Sequence, residues 1–259
     1  MKNTFFLAAA ALVATTLFSS CVIEKRNIND SPSSDSSIVS SYKVDEFDKI
    51  DISGACTLVY TQGASDSLRL EGDSKSLERI DISQNGSTLT IKWKKSISLF
   101  GINNTNHDVV LVYVSSKTLS EIEMSGACDI HMDEPVKFAD LKVTTSGASD
   151  LNIKDITADN LKIRCSGASD IDIDKATLKS FNTRMSGAGD IDAKLNNTDK
   201  IDLQVSGAGD ADLKLTDCGD VNVSISGAGS ITVSGNARSL SQSKSGMASI
   251  DTDDLSISK

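Results

Sequence analysis

Aromatic residues and histidines are scarce in this chain, which holds one tryptophan, three tyrosines, seven phenylalanines and two histidines. Sugar-binding sites normally present aromatic faces, and general acid–base catalysis most often uses histidine. His107 and His131 lie far apart in the sequence, as surface histidines usually do. The shortage argues against an active site and restricts any glycan site to a few side chains.

A second apolar run long enough to cross a bilayer is also missing. The first twenty residues have a charged start at Lys2, an apolar stretch over 5–17 and small residues before Cys21. This pattern is typical of an export signal and is too short for a membrane span. We predict a lipoprotein signal peptide at 1–20 with lipidation of Cys21. A plain secreted protein is the alternative.

Basic residues are outnumbered by acidic ones, 26 against 36, which gives a formal net charge of -10. A chain this acidic does not bind nucleic acid or anionic lipid by general attraction. We therefore expect no nucleic-acid partner and a membrane contact only through the N-terminal lipid. The expected location is exported and lipid-anchored to the outer membrane or cell surface.

The phrase Ser-Gly-Ala, by contrast, is abundant. Its regular copies are spaced by 20 or 21 residues, with glycines at Gly126, Gly147, Gly167, Gly187, Gly207 and Gly227. An early copy lies at 53–55 and a degenerate one at 245–249. Such a period is typical of a solenoid, and no segment has a convincing helix pattern. We predict an all-β solenoid with rungs of about 20 residues.

When the copies are aligned on their glycines, apolar and polar positions alternate on both sides of the phrase. Each rung should have two short strands meeting at a Ser-Gly-Ala corner, followed by a polar connection such as 154–160. We expect glycine at positive φ, a stacked serine ladder and alanine in the interior angle. Gln242 and Lys244 fall at inward positions and are interpreted as a polar terminal cap.

Three segments precede or contain these rungs. Residues 21–41 are rich in serine and aspartate and are predicted to be a flexible tether. Residues 42–118 alternate with period two but are less regular, and 119–259 hold the regular rungs. We expect 42–259 to form one domain.

Four cysteines follow Cys21, and none has the paired spacing of a zinc or redox motif. Cys56 and Cys128 occupy the same slot of the repeat. If their rungs touch, the Cα atoms lie roughly 4.8 Å apart, which permits a disulfide. The alternative is that both are small residues standing in for serine.

The strongest candidates for chemistry are the aspartates three residues after the glycines, including Asp150, Asp170, Asp190 and Asp210. Like charges about 4.8 Å apart repel by roughly 1 kcal/mol in water, so the repulsion needs an offset. Either each carboxylate accepts a backbone N–H at the corner, or the column binds Ca²⁺. The chain lacks the calcium-binding β-roll motif. We predict no cofactor and no metal site, with Ca²⁺ as the alternative.

Trp93 and Phe100 flank the irregular loop at 94–107 and are the candidates for a sugar platform, with core or edge packing as the alternative. We predict no catalytic residues, because carboxylate pairs recur in nearly every rung and form no single constellation.

The segment 47–55, Phe-Asp-Lys-Ile-Asp-Ile-Ser-Gly-Ala, the Gln62-Gly63 turn and the Ser-Gly-Ala-x-Asp repeats resemble one known family. This is the "putative autotransporter adhesin, head GIN domain" family, of unknown function and frequent in lipoproteins of Bacteroidetes-type bacteria. The resemblance covers about residues 43–255. It implies a right-handed, single-stranded parallel β-helix at the cell surface or in the periplasm, with roles in adhesion or polysaccharide binding and no agreed catalytic residues.

Two function classes follow. The favoured one is a non-catalytic, lipid-anchored envelope protein that acts as an adhesin or polysaccharide-binding module, with surface glycans as partners. The alternative is a structural or protein-interaction envelope lipoprotein without a small ligand, whose partners are envelope proteins. A β-helix enzyme that degrades polysaccharide is the less favoured third class.

Overall fold

The computed structural model describes residues 25–27, 37–94 and 109–258. About 80% of it is strand, and stacked parallel coils of about 20 residues form a β-solenoid of about 7 turns. The predicted parallel β-helix is therefore confirmed. In the described ranges, no helix has both the length and the apolar character that a bilayer span requires.

The elements, in chain order, are β1 (Lys25–Asn27), β2 (Ile38–Tyr42), β3 (Lys49–Gln62), β4 (Ser67–Gly72), α1 (Ser74–Glu78), β5 (Ile80–Asn85), β6 (Thr88–Trp93), β7 (Val110–Ser116), β8 (Glu121–Met132), β9 (Val136–Ile153), β10 (Ile156–Ala188), β11 (Ile191–Asn196), β12 (Lys200–Ala208), β13 (Ala211–Asp251) and β14 (Leu255–Ile257). The longest strands pass through the corners and therefore continue from one side of a rung to the next.

The regular rungs stack in register. Ile163 lies opposite Val143, and Gly167 lies opposite Gly147. The same 20-residue offset places β12 on β10 and β13 on β12. The predicted inward columns before the glycine are buried, at Ile122, Val143, Ile163, Thr183, Leu203, Val223, Met124, Thr145, Cys165, Met185, Val205 and Ile225. The alternation of the sequence thus sets the core.

The predicted polar connection at 154–160 is instead partly a third strand segment. Ile156 and Ala158 are buried, and they pair with Val136 and Phe138 of the preceding rung. The apolar signal is weak at 154–160 because this stretch contributes only two inward residues, and one of them is an alanine. Each rung therefore has three inward-facing stretches rather than two.

The corners match the prediction for glycine but not for alanine. Gly167 has φ +119, and a Cβ there would lie 2.1 Å from the carbonyl oxygen of Gly147. Ala148 and Ala168 are exposed. Period-two alternation continues through the corner, so the alanine has outward parity and the next residue points inward. In two successive rungs that residue is Ser149 and Ser169, which are buried. The corner serines lie in register and are exposed.

The early Ser-Gly-Ala copy belongs to the first complete rung. β3 pairs in register with β8, from Lys49 opposite Glu121 to Val59 opposite His131. On its other edge β3 pairs with β6 and β7, which together form a partial rung. Strands β5, β4 and β2 then add antiparallel pairs to it. We call β2, β4, α1, β5, β6 and β7 the N-terminal cap.

Two sequence predictions about this region need correction. Helix α1 was not expected; its N-cap Asp73 accepts backbone N–H bonds from Lys75 and Ser76 at 2.9 and 3.0 Å. The helix has only five residues, which are too few to show helical periodicity in the sequence. The tether prediction fails at 38–41, which belong to β2, because Ile38 packs on the core and β2 pairs with β4.

Polar and apolar side chains are both exposed at the far end of the solenoid. Gln242 and Lys244 are exposed, as expected of a terminal cap, and Met247 at the last corner is 87% exposed. The degenerate corner still stacks, since a Cβ at Gly246 would lie 2.4 Å from the carbonyl oxygen of Gly227.

Candidate functional site

One outward-facing row of side chains runs across nine adjacent strands, from the cap into the regular rungs. Register pairs define it as Ser41, Arg69, Tyr113, Val59, His131, Asn152, Asp172, Asp192 and Asp212. We call this the outer row. With about 4.8 Å between strands its length is roughly 38 Å. A face of this length suits an extended polymer better than a small molecule.

The cap end of the outer row is a shallow concavity of about 400 Å³. Its lining consists of Ser41, Tyr42, Val59, Thr61, Ser67, Leu68, Arg69, Tyr113, Val114 and Ser115. The guanidinium carbon of Arg69 lies 4.1 Å from the centroid of the Tyr113 ring. This cation–π contact stacks the guanidinium over one face of the Tyr113 ring, and we call the stacked pair the Arg69–Tyr113 platform. Several hydroxyl groups surround it, so the concavity combines a stacking surface with hydrogen-bonding groups.

The other end is an acidic groove of about 290 Å³. It is lined by Asp150, Asn152, Asp170, Ile171, Asp172, Asp190 and Asp192. The structure thus brings together three of the four aspartates predicted as ligand-binding residues. The fourth, Asp210, stacks next in the same column, and its backbone N–H donates to Asp190 Oδ1 at 3.1 Å.

The aspartate column is held by hydrogen bonds between rungs. The backbone N–H of Asp190 donates to Asp170 Oδ1 at 2.9 Å, and the N–H of Ser230 donates to Asp210 Oδ1 at 2.8 Å. The Ser230 hydroxyl donates to the same oxygen at 2.8 Å. Each bond stabilises the carboxylate that accepts it and so offsets part of the repulsion within the column, as the first of the two alternatives expected. The column therefore has a structural role whether or not a ligand binds.

Burial raises the pKa of Asp150, with the charges of Asp129 and Asp170 as further causes. The charged form of this carboxyl is therefore disfavoured in the folded chain. Over the described ranges, no group of three or more histidine, cysteine, aspartate or glutamate side chains is arranged to hold a metal ion. Calcium binding by the column stays the untested alternative.

Trp93 lies at the N-terminal end of the stack of Ser-Gly-Ala corners, against Gly54. A Cβ at Gly54 would lie 1.7 Å from Trp93 Cδ1, so the indole packs directly on that glycine. The guanidinium carbon of Arg79 lies 5.9 Å from the indole centroid. Trp93 is half-buried. Phe100, Cys21 and the signal peptide lie outside the described residues, so the Trp93–Phe100 platform and the lipid anchor stay predictions.

Sequence reasoning missed Arg69 and Tyr113 as a site. The period-two pattern of 67–70 marks Arg69 as outward-facing, but the continuous apolar run at 109–114 has no alternation that would place Tyr113 on the outside. Their contact depends on the antiparallel pairing of β4 with β7, where Arg69 lies opposite Tyr113. That pairing lies outside the 20-residue repeat, so the period does not predict it.

Solved structures of similar fold include one protein from Bacteroides fragilis and two from Parabacteroides species. Each of the three is named a putative adhesin. The one from Bacteroides fragilis has 24% identity, a TM-score of 0.67 and coverage of 84% of this chain and 97% of its own. The one from Parabacteroides merdae has 17% identity, a TM-score of 0.60 and coverage of 84% and 96%. The one from Parabacteroides distasonis has 16% identity, a TM-score of 0.61 and coverage of 83% and 96%.

At these identities the structural likeness supports the fold alone. A search among curated proteins finds no match to this chain. The family model described as "Putative auto-transporter adhesin, head GIN domain" matches residues 46–237 and, in a second match, 196–259. These matches cover most of the chain and include all the regular rungs. The chain therefore belongs to the head GIN domain family.

Proposed function

We propose that the protein is a non-catalytic envelope adhesin that binds an extended, neutral polysaccharide along the outer row. The Arg69–Tyr113 platform carries this proposal, with ring centroid and guanidinium carbon 4.1 Å apart in a concavity of about 400 Å³. A sugar ring has apolar C–H faces that stack on such a platform, while its hydroxyls hydrogen-bond to Ser41, Ser67 and Ser115.

The charge distribution selects the kind of polysaccharide. Beyond His131 the outer row consists of Asn152 followed by three aspartates, and the whole chain has a formal net charge of -10. A uronate or sulfated polymer would be repelled along this stretch. Sugar hydroxyls, by contrast, donate well to carboxylate oxygens. A neutral polymer is therefore the proposed ligand.

The attachment to the envelope is part of the proposal. A lipid on Cys21 would hold the domain at the membrane after removal of residues 1–20. Metabolic labelling with a fatty-acid analogue tests this step. Label on the wild type and none on Cys21→Ser is the expected result, and an unlabelled wild type would contradict the anchor.

Binding is tested on a glycan array that carries neutral and uronate-containing polysaccharides. We expect binding to a neutral polymer, weakened about threefold to tenfold by Tyr113→Ala and retained by Tyr113→Phe, since a lost aromatic contact costs about 0.5–1.5 kcal/mol. Arg69→Ala should also weaken it. Arg184→Ala is the matched control, because Arg184 is an exposed arginine on the strand before the corner.

Two results would contradict the proposed glycan binding. One is the absence of binding to every polysaccharide on the array, and the other is binding that Tyr113→Ala leaves unchanged. Selective capture of an envelope protein in place of any glycan would favour the alternative class, a protein-interaction lipoprotein.

A further inference from the structure

Cys56 and Cys128 are direct neighbours in the solenoid. β3 and β8 pair in parallel, and Cys56 lies opposite Cys128 in their register. Both follow a Ser-Gly-Ala corner by one residue, so both occupy the inward slot described above. Their side chains are 3% and 2% exposed. Two thiols that are far apart in sequence thus share one buried position on adjacent rungs.

The two sulfur atoms are already in contact. Cys56 Sγ and Cys128 Sγ lie 3.3 Å apart, and the Cys128 thiol also donates to the carbonyl oxygen of Gly54 at 3.1 Å. The same slot brings side chains together further along, where the hydroxyl oxygens of Ser149 and Ser169 are 3.0 Å apart. The proximity therefore comes from the slot and its register rather than from one side-chain rotamer.

We propose that Cys56 and Cys128 form an inter-rung disulfide when the protein folds in an oxidising compartment. The oxidant is a disulfide, either of a thiol–disulfide oxidoreductase or of oxidised glutathione. One cysteine thiolate attacks it, which forms a mixed disulfide and releases one oxidant thiolate. The second cysteine then attacks the mixed disulfide, which forms the Sγ–Sγ bond and releases the second thiolate. The two cysteine protons go to the released thiolates.

The burial of both thiols fixes when this reaction happens. The oxidant reaches the two thiols while β8 is docking on β3, before the stacked rungs bury both sulfur atoms. In the folded chain, the hydrogen bond with Cys128 and burial raise the pKa of the Cys56 thiol, so it is a poor nucleophile there. Burial of both sulfur atoms also shields a bridge formed during folding from later attack by outside thiols.

The bridge would close a loop that contains most of the N-terminal cap. The two cysteines are 72 positions apart, and β4, α1, β5, β6 and β7 lie between them. Covalent closure of a long loop removes conformational freedom from the unfolded chain. The disulfide therefore ties the cap to the regular rungs at the point where the 20-residue repeat is interrupted.

Differential alkylation of the full chain from intact cells tests the bridge. Cells are quenched with acid, the protein is denatured with a first alkylating reagent and no reductant, and reduction with a second reagent follows before peptide mapping. We expect the second label on Cys56 and Cys128, which unreduced digests should contain as one cross-linked peptide. Cys165 and Cys218 are internal controls, because both are buried and free, and both should carry the first label.

First-reagent label on all four cysteines would overturn the proposal, as would a cross-link from Cys56 to any other residue. A melting experiment gives a second reading. Reduction should lower the melting temperature of the wild type by about 10 °C, the size expected for opening a loop of this length. Cys128→Ser should melt at one temperature with or without reductant, and Cys165→Ser should keep the wild-type response. Equal responses of wild type and Cys128→Ser would refute the bridge.

Discussion

Substitution of one corner glycine measures how tightly the rungs are stacked. Gly167 has φ +119, and a Cβ there would lie 2.1 Å from the carbonyl oxygen of Gly147. The backbone strain alone costs about 1–3 kcal/mol for a residue with a side chain. Displacement of the Gly147 carbonyl also weakens ladder hydrogen bonds worth about 1 kcal/mol each. We expect Gly167→Ala to lower the free energy of unfolding by about 3–5 kcal/mol.

Urea unfolding followed by far-ultraviolet circular dichroism measures this loss. Gly86→Ala is the matched control, since Gly86 has φ +57 but no atom within 4 Å of its built Cβ. Gly86→Ala should lower the free energy of unfolding by about 1–2 kcal/mol, because it adds the strain of a left-handed backbone but no steric clash. If Gly167→Ala costs no more than Gly86→Ala, then close rung stacking is not what requires glycine at the corner.

Three further predictions concern the site residues. Trp93→Ala should lower the free energy of unfolding by about 2 kcal/mol, because removal of the half-buried indole leaves a partial cavity against Gly54. Urea unfolding that is unchanged in this variant would contradict the packing role. Asp150→Asn should raise the melting temperature at pH 7. Burial, and then the charges of Asp129 and Asp170, raise the pKa of Asp150 in the folded chain, so its contribution to stability is present at low pH and lost as the pH rises. The increase in melting temperature caused by Asp150→Asn should therefore vanish below about pH 4. A lower melting temperature of the variant at pH 7 would contradict this reasoning. Millimolar Ca²⁺ and chelator should each leave the melting curve in place, since the aspartate column already has backbone partners; a calcium-dependent rise would instead establish a cation site.

The core of the regular rungs could be predicted from the sequence because one period fixes every neighbour. Once Gly147 and Gly167 are aligned, Val143 and Ile163 must stack, and the structure pairs them. The prediction of an interior alanine at the corner is wrong, because it assumes that the alternation breaks at the glycine. Ala168 points outward since the period-two pattern continues through the glycine.

The N-terminal cap could not be predicted in the same way. The 72-residue separation between Cys56 and Cys128 replaces a 20-residue step, and the sequence has no period that tells which strands fill the gap. The Arg69–Tyr113 contact depends on that unpredicted pairing. The aspartate column is a different case: its residues were identified, but only the geometry shows that Asp170 accepts the N–H of Asp190.

The non-repeating N-terminal cap and the repeating rungs should contribute differently to binding specificity. A repeat places the same residue type at equivalent positions, and the regular rungs contribute Asn152, Asp172, Asp192 and Asp212 to the outer row. Such a stretch offers uniform hydrogen-bond acceptors that favour no particular sugar sequence. The cap and β3 add Ser41, Arg69, Tyr113 and Val59, which differ in size, charge and shape. In the proposed glycan site, the cap therefore selects the sugar, while the rungs extend the contact along the polymer.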